Sequence, residues 1–390
     1  VERVGEPAMK YSTAILASVA LNAGLLLFAT TRFGGMQVGG ALQGMKSPSI
    51  MRTTKANALT RGVGVSASRV LIIQNKGGGH GEIGYHLANK LASDGHSVTI
   101  MGDPATKLQS LPFSRYGDLK SKGVTTVFAD PCDPYSFANL GQFDVVYDNY
   151  AKGKDTCAVA ADLAKQWGVS HYGYVSSAGM YKPGNLMPMV ETLSVKDTAG
   201  QKEVEDHLDR MGLPWTSFRP QYIYGPLTNK RDYLDYFFDR VVRGRPVPVA
   251  GSGQQLVTLT HAADVAGMMA SIIDAGDKAH RQVFNCATDQ LITVDTLIAL
   301  CAKIAGVPTP QIVHYNPKEV KLEKKAFPFR DNHFFVTPDK AKSELGWKCE
   351  HDLEREIKAY YEGYKAIGKD QKSMDFPIDD IILRQVPMMA

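Results

Sequence analysis

The sequence predicts an α/β protein built on a doubly wound parallel sheet, with a smaller mixed part towards the C-terminus. Three observations carry this prediction. A buried-strand run, RVLIIQ (69–74), leads straight into a glycine-rich turn and an amphipathic helix. Strand-like and helix-like stretches then alternate for roughly 110 residues, the pattern of parallel strands joined by crossover helices. Polar residues recur at the carboxyl ends of those strands, where open α/β sheets bind their ligands.

The elements follow in order. After RVLIIQ, NKGGGHGEIGYHLANKLASDGH places Gly78, Gly81 and Gly84 at G-x-x-G-x-x-G spacing, with the helix starting inside the motif. Glycines let the backbone turn tightly and approach a pyrophosphate, and the helix N-terminus presents unbonded N–H groups and a positive dipole end. Lys76 adds phosphate attraction beside the loop, and His80 is read as loop packing. SVTIMGD is the second strand and ends at Asp103, 19 residues past Gly84, near where an acid holds a ribose. GVTTVFADP is the third strand, ending at Asp130, and FDVVYDN the fourth, ending at Asn149. KDTCAVAADLAKQWG is a helix, and VSHYGYVSSAG the fifth strand, which delivers Ser177 to the same edge. Residues 69–220 thus read as a Rossmann-type NAD(P)-binding domain. Residues 221–390 read as a C-terminal part interleaved with it, including TPDKAKSELGW and the amphipathic DLEREIKAYYEGYKAI. Gly78, Gly81, Gly84, Asp103 and Asp130 are the expected cofactor contacts.

Composition narrows the function classes. Five widely spaced cysteines, with no C-x-x-C pair, argue against zinc ribbons and redox dithiols and fit a reducing compartment. The net charge of +4 is carried by the N-terminus. Residues 1–68 hold seven Lys/Arg and two acids, leaving 37 basic and 38 acidic residues in 69–390. A nucleic-acid site in the globular part must therefore be a local patch. From Met9, MK and the apolar AILASVALNAGLLLFA read as a secretory signal sequence, and the basic, Ser/Thr/Ala-rich stretch after it as a transit sequence. Together they predict a bipartite plastid presequence over 1–68, hence a chloroplast protein of the stroma. The alternative is a retained membrane anchor, since about 20 apolar residues span a bilayer.

GGHGEIG, ADP (129–131), VSSAGMY (175–181), FRPQYIYGP (218–226), GSGQQ (251–255) and THAADVA (260–266) resemble the extended short-chain dehydrogenase/reductase group, the NAD-dependent epimerases and dehydratases. That resemblance implies a Tyr-x-x-x-Lys helix after the serine strand, the tyrosine serving as acid/base. Ser177 and Lys202 stand at the serine and lysine positions, but the tyrosine position holds Thr198. An aliphatic hydroxyl lacks a phenol's acidity. No tyrosine lies between Tyr181 and Tyr222, so only Tyr181 or Tyr224 is left as a substitute.

FDVVYDN, VSSAGMYKP, SFRPQYIYG, FFDRVVRGRPVPVAGSGQQL (237–256), VFNC (283–286), IVHYNPKEV (312–320) and KKAFPFRDNHFF (324–335) are similar to an atypical branch of that superfamily, the chloroplast stem-loop-binding proteins. That resemblance implies binding of RNA stem-loops, association with plastid ribosomes, membership of an oligomer or large complex, and a divalent-ion-dependent (Mg) endoribonuclease activity linked to transcript stability. The residues themselves offer a short basic triplet, NKR (229–231), and two longer basic stretches for RNA. One holds Arg240, Arg243 and Arg245; the other holds Lys318, Lys321, Lys324, Lys325 and Arg330, with Phe327 and Phe329 interleaved as candidate base-stacking rings. The competing reading makes those two rings core residues. His261 and Asp264 are read as fixing a helix start, and no metal ligand set is assigned. Three functions remain open: an RNA-binding and RNA-cleaving protein, an NAD(P)-dependent oxidoreductase with another acid, and a nucleotide-binding scaffold.

Overall fold

The computed structural model describes residues 67–75, 77–229, 231–323 and 326–386. The presequence reading, Lys76, Lys324 and Lys325 lie outside the described residues.

The first strand, β1 (Arg69–Gln74), alternates as its sequence dictates. Val70 and Ile72 face one apolar cluster, and Leu71 and Ile73 the opposite one. Both sides are covered because helices return on both faces of a parallel sheet. α1 (Gly78–Ser93), β2 (Ser97–Gly102), α2 (Tyr116–Ser121), β3 (Thr125–Phe128) and β4 (Val145–Asn149) follow. Next come α3 (Lys154–Trp167), β5 (His171–Val175), α4 (Gly200–Met211), β6 (Trp215–Pro220) and the short β7 (Ile223–Tyr224). α3 and α4 both end on a left-handed glycine, Gly168 at φ 67° and Gly212 at φ 70°, where any side chain would be strained.

The C-terminal part runs α5 (Leu234–Val241), β8 (Val247–Ala250), β9 (Leu256–Val257), β10 (Thr260–His261), α6 (Ala262–Ala270), α7 (Ile272–Ala275) and β11 (Gln282–Cys286). It closes with β12 (Ile292–Thr293), α8 (Val294–Ala305), β13 (Ile312–Tyr315), α9 (Asp339–Leu345), α10 (Leu353–Ala366) and α11 (Pro377–Gln385). Among the described residues the main sheet has seven strands in the order β11-β6-β5-β4-β1-β2-β3, all parallel. The order reverses between β1 and β4, which opens a crevice at their carboxyl ends. β11 comes from beyond residue 280 yet pairs with β6, so the second half of the chain completes the first half's sheet. α6 lies against α1 on one face, while α3 and α4 cover the other.

A second core joins α5, α8, α10 and the parallel β8–β13 pair. Phe327 and Phe329 are 2% and 1% exposed within it, so they are core residues and not stacking platforms. A buried guanidinium, Arg219 on β6, meets Glu205 on α4 through Nη2–Oε2 at 2.6 Å and Nε–Oε1 at 3.1 Å. The same Glu205 accepts a hydrogen bond from the Ser217 hydroxyl at 2.6 Å.

Candidate nucleotide cleft and its surroundings

The crevice at the switch point is a cleft of about 840 Å³. Gly77, Gly78 and His80 line it from the glycine loop, Asn149 and Lys152 from the end of β4, Ser176 and Ser177 from the end of β5, and Asn229 from the loop after β7. Lys107 and Gln201 add to the rim.

The loop is held from below by amides. Asn149 Nδ2 donates to His80 O at 2.7 Å and to Gln74 Oε1 at 3.3 Å, while Gln74 Nε2 donates to His80 O at 3.0 Å. His80 Nδ1 lies 2.9 Å from Asn149 Oδ1. Burial holds the His80 imidazole below its usual value, outweighing that hydrogen bond. The glycines of the loop differ in how strictly they are required. Gly78 has φ 66°. A Cβ on Gly84 would lie 1.4 Å from Gln74 Oε1, and one on Gly79 would lie 2.5 Å from Ile223 Cγ2. At Gly81 a Cβ would meet Phe113 and Pro112 at an ordinary 3.5 Å. The tight positions are therefore Gly79 and Gly84.

The anion-binding end of α1 is already capped from within. Gly78 N–H donates to Asn229 Oδ1 at 2.8 Å, and Gly77 N–H to Asn75 Oδ1 at 3.1 Å. The first intrahelical bond is Gly81 N to Gly77 O at 3.2 Å, so the amides of Gly79 and His80 precede it and point towards the cleft end. These residues fit the pyrophosphate of a dinucleotide, provided it displaces or sits beside the Asn229 amide. Asp103 ends β2 and turns its Oδ1 onto Ala105 N at 2.7 Å. Asp130 likewise accepts from Cys132 N at 2.9 Å and is exposed, so the structure uses it to close a turn and does not place it on the cleft lining.

The tyrosine that lines the cleft is Tyr150, at the end of β4; the residues expected at the reacting end are placed elsewhere. Thr198 is exposed. Lys202 Nζ is taken by both carboxylate oxygens of Asp206 at 2.7 Å. Tyr181 is fully buried; its hydroxyl donates to Asn285 Oδ1 at 2.7 Å and accepts from Arg219 Nη1 at 3.1 Å. Burial pushes its phenol up to about 12 despite the nearby guanidinium. Tyr224 is also buried, and burial raises its phenol further. Neither tyrosine lines the cleft.

The first basic stretch proposed for RNA is spent on structure. Arg240 is 8% exposed and forms a two-pronged pair with Asp379, at 2.7 and 2.8 Å. Arg243 donates to the carbonyls of Asp239 and Lys369, and Arg245 pairs with Asp380 at 2.6 Å. The donors of these three secure α11 and the turn after α10. Of the second stretch, Lys318 and Lys321 are exposed, and Arg330 is half-buried. Among the described residues no group of three or more His, Cys, Asp or Glu is arranged to hold a metal ion.

Behind the loop, α1 is tied to the C-terminal part by ionisable groups that the sequence reading largely missed. Glu82 is fully buried, and its Oε1 accepts from Leu227 N at 3.0 Å and lies 3.3 Å from His86 Nε2. His261 caps α6 through Nδ1, which accepts from Ala263 N, as the helix-start reading predicted. Its ring stacks on His351, centroids 4.1 Å apart, and His351 Nδ1 donates to Asp264 Oδ1 at 2.8 Å. Burial, reinforced by His351 and His86, holds His261 down at about 3. A histidine depressed in this way contributes stability that is intact above its unfolded pKa near 6.5 and is lost as pH falls from there towards 3. His351, raised by Asp264, acts in the opposite sense and loses its contribution as pH rises through its folded value. Urea unfolding at pH 7 and pH 5 should therefore show wild type losing up to about 1.4 kcal/mol per pH unit through His261, while His261→Phe loses measurably less over the same interval. Equal losses in the two proteins would contradict this assignment.

A family of NAD(P)H-binding domains matches residues 78–275 of the chain. The chloroplast stem-loop binding protein of 41 kDa b from Arabidopsis thaliana is 38% identical over 333 residues, covering 82% of this chain and 86% of that one. Among solved structures, UDP-glucose 4-epimerase from Thermotoga maritima with UDP-glucose superposes with a TM-score of 0.61 at 20% identity, over 77% of this chain and 99% of that one. UDP-glucuronic acid 4-epimerase from Bacillus cereus, solved with UDP-glucuronic acid and NAD, gives 0.61 at 16% identity over the same shares. At those identities the two epimerases attest to the fold.

Proposed function

Since the chain belongs to the chloroplast stem-loop-binding family within the NAD(P)H-binding fold, we propose that it is a plastid RNA-binding protein on a dehydrogenase scaffold whose chemistry has been lost. The observation that carries this reading is the 38% identity to a named stem-loop binding protein across most of both chains. The reacting end of the cleft agrees with it: Thr198 stands at the acid's position, Lys202 is held by Asp206, and Tyr181 is locked against Arg219. The cleft retains a nucleotide-sized space and a helix N-terminus suited to phosphate, so NAD(P) binding without hydride transfer belongs to the same proposal. The described residues offer no metal ligand set on which to build the divalent-ion-dependent cleavage implied by the resemblance, and the reading stops at binding.

The test is filter binding of the purified chain to a stem-loop RNA, with a DNA duplex of equal length as competitor and salt as the variable. Saturable binding that favours RNA and weakens with salt is expected. Absence of saturable RNA binding near 0.1 M salt, or turnover of a UDP-sugar that vanishes in Lys202→Met, would overturn the proposal.

A further inference from the structure

The cleft carries positive charge that the fold itself does not consume. Lys107 and Lys152 line it, and among the described residues no Asp or Glu does. Both lysines are exposed, and no described residue bonds or pairs with either Nζ. The other polar side chains on the lining are amides, hydroxyls and the His80 imidazole.

The two lysines stand on opposite sides of the glycine loop, because β1 lies between β4 and β2 in the sheet. Lys152 follows β4, on the side of Tyr150, Ser176 and Ser177. Lys107 follows β2, on the side where a doubly wound fold takes the adenosine ribose of a dinucleotide whose pyrophosphate rests on the loop. An acid there holds the ribose hydroxyls of NAD, and a cation there suits the 2′-phosphate of NADP. Asp103 has the spacing of that acid, yet it is 8% exposed and off the lining, with Oδ1 on Ala105 N at 2.7 Å. Its carbonyl accepts from Thr106 N at 3.0 Å, which folds a turn over it. What this turn presents to the cleft is Ala105, Lys107 and Ser110. Ser110 donates to Lys107 O through N at 2.9 Å and through Oγ at 2.7 Å, fixing the backbone that carries the ammonium. Asp130, beyond β3, is likewise turned onto Cys132 N. The charged side chain that lines the ribose side is therefore a cation.

We propose that the cleft selects NADP(H) over NAD(H), and that Lys107 makes the selection by pairing with the 2′-phosphate. The inference rests on the nucleotide-binding part of the reading above and names the dinucleotide, a choice that the NAD(P)H-binding family leaves open. A phosphomonoester carries about −1.5 to −2 charge near pH 7, where NAD has an uncharged hydroxyl. An ammonium with no acid beside it on the lining attracts the first and gains little from the second. Lys152 stands on the nicotinamide side, which is the same in both dinucleotides.

Calorimetry of the full chain with NADPH and with NADH, in dilute buffer and at raised salt, is the test. NADPH should bind roughly three- to tenfold more tightly, the scale of an ion pair still in contact with water, and the advantage should shrink with salt. Lys107→Gln should abolish the preference through NADPH alone, Lys107→Arg should keep it, and Lys107→Glu should reverse it. At an exposed position all three variants should melt like wild type. Lys152→Gln should weaken the two dinucleotides alike. Equal wild-type affinities for NADPH and NADH refute the selection and leave nucleotide binding standing. A preference that survives Lys107→Gln, or that vanishes in Lys152→Gln, refutes the part given to Lys107. An unpaired RNA oligomer is the third titrant: if Lys107→Gln weakens RNA binding while the two dinucleotides bind alike, the lysine serves an RNA phosphate and the inference falls. A wild-type chain that binds neither dinucleotide removes the nucleotide reading along with it.

Discussion

Glu205→Ala is expected to lower the unfolding free energy by about 3–5 kcal/mol, the cost typical of stranding one partner of a buried ion pair. Glu205 is 7% exposed and Arg219 5%, so water cannot replace the lost carboxylate. The substitution removes three charge-assisted contacts at once: two from Arg219 and one from the Ser217 hydroxyl. The damage should spread, because Arg219 also steadies the Tyr181 hydroxyl and donates to Glu191 O. A urea titration measures it directly. Removing both charges, as in Glu205→Leu/Arg219→Met, should recover much of the loss, since an apolar pair of similar volume leaves no orphaned charge. If the single variant lies within about 1 kcal/mol of wild type, as an exposed pair would, the pair is not buried in solution. The same contacts account for Tyr181: it is a structural hydroxyl bonded on both sides, without a proton to lend.

The second large effect is local. Gly84→Ala places a methyl 1.4 Å from Gln74 Oε1, and Gln74 is fully buried beneath the loop. Either Gln74 leaves its bonds to His80 and Asn149, or α1 lifts from β1. Overpacking of this kind costs about 1–3 kcal/mol, before counting the stranded amide groups. NAD binding, followed by fluorescence or calorimetry, should drop below detection. Gly81→Ala should fold and melt like wild type, because its methyl meets Phe113 and Pro112 at 3.5 Å. Equal harm from the two substitutions would mean that the loop is placed differently in solution.

The sheet was legible because its signals are local. RVLIIQ, SVTIMGD, FDVVYDN and VSHYGYVSSAG each contain a strand of the main sheet, and the glycine spacing located α1. The cleft was legible only where it is built from those strand ends, at Gly78, Asn149 and Ser177. Asn229 could not be found this way: it reaches Gly78 across 151 residues from a loop with no motif. The partners of the arginines were hidden for a related reason. A run such as RVVRGR displays its charges but not its partners, and Asp379 and Asp380 lie more than 130 residues further along. Phe327 and Phe329 were undecidable between a stacking surface and a core until α5 and β8 were placed beside them.

The amide that Asn229 lends to Gly78 makes the glycine loop and the loop after β7 share one hydrogen bond. A phosphate that takes over the Gly78 N–H releases Asn229 Oδ1 from it, so nucleotide occupancy and this contact of Asn229 are thermodynamically linked, each weakening the other by the same factor. Asn229 also lines a neighbouring groove with Arg231, Tyr233 and Lys369. A ligand in that groove that holds Asn229 in place would therefore act as an antagonist of the nucleotide without ever touching its site, and the nucleotide would expel it in return.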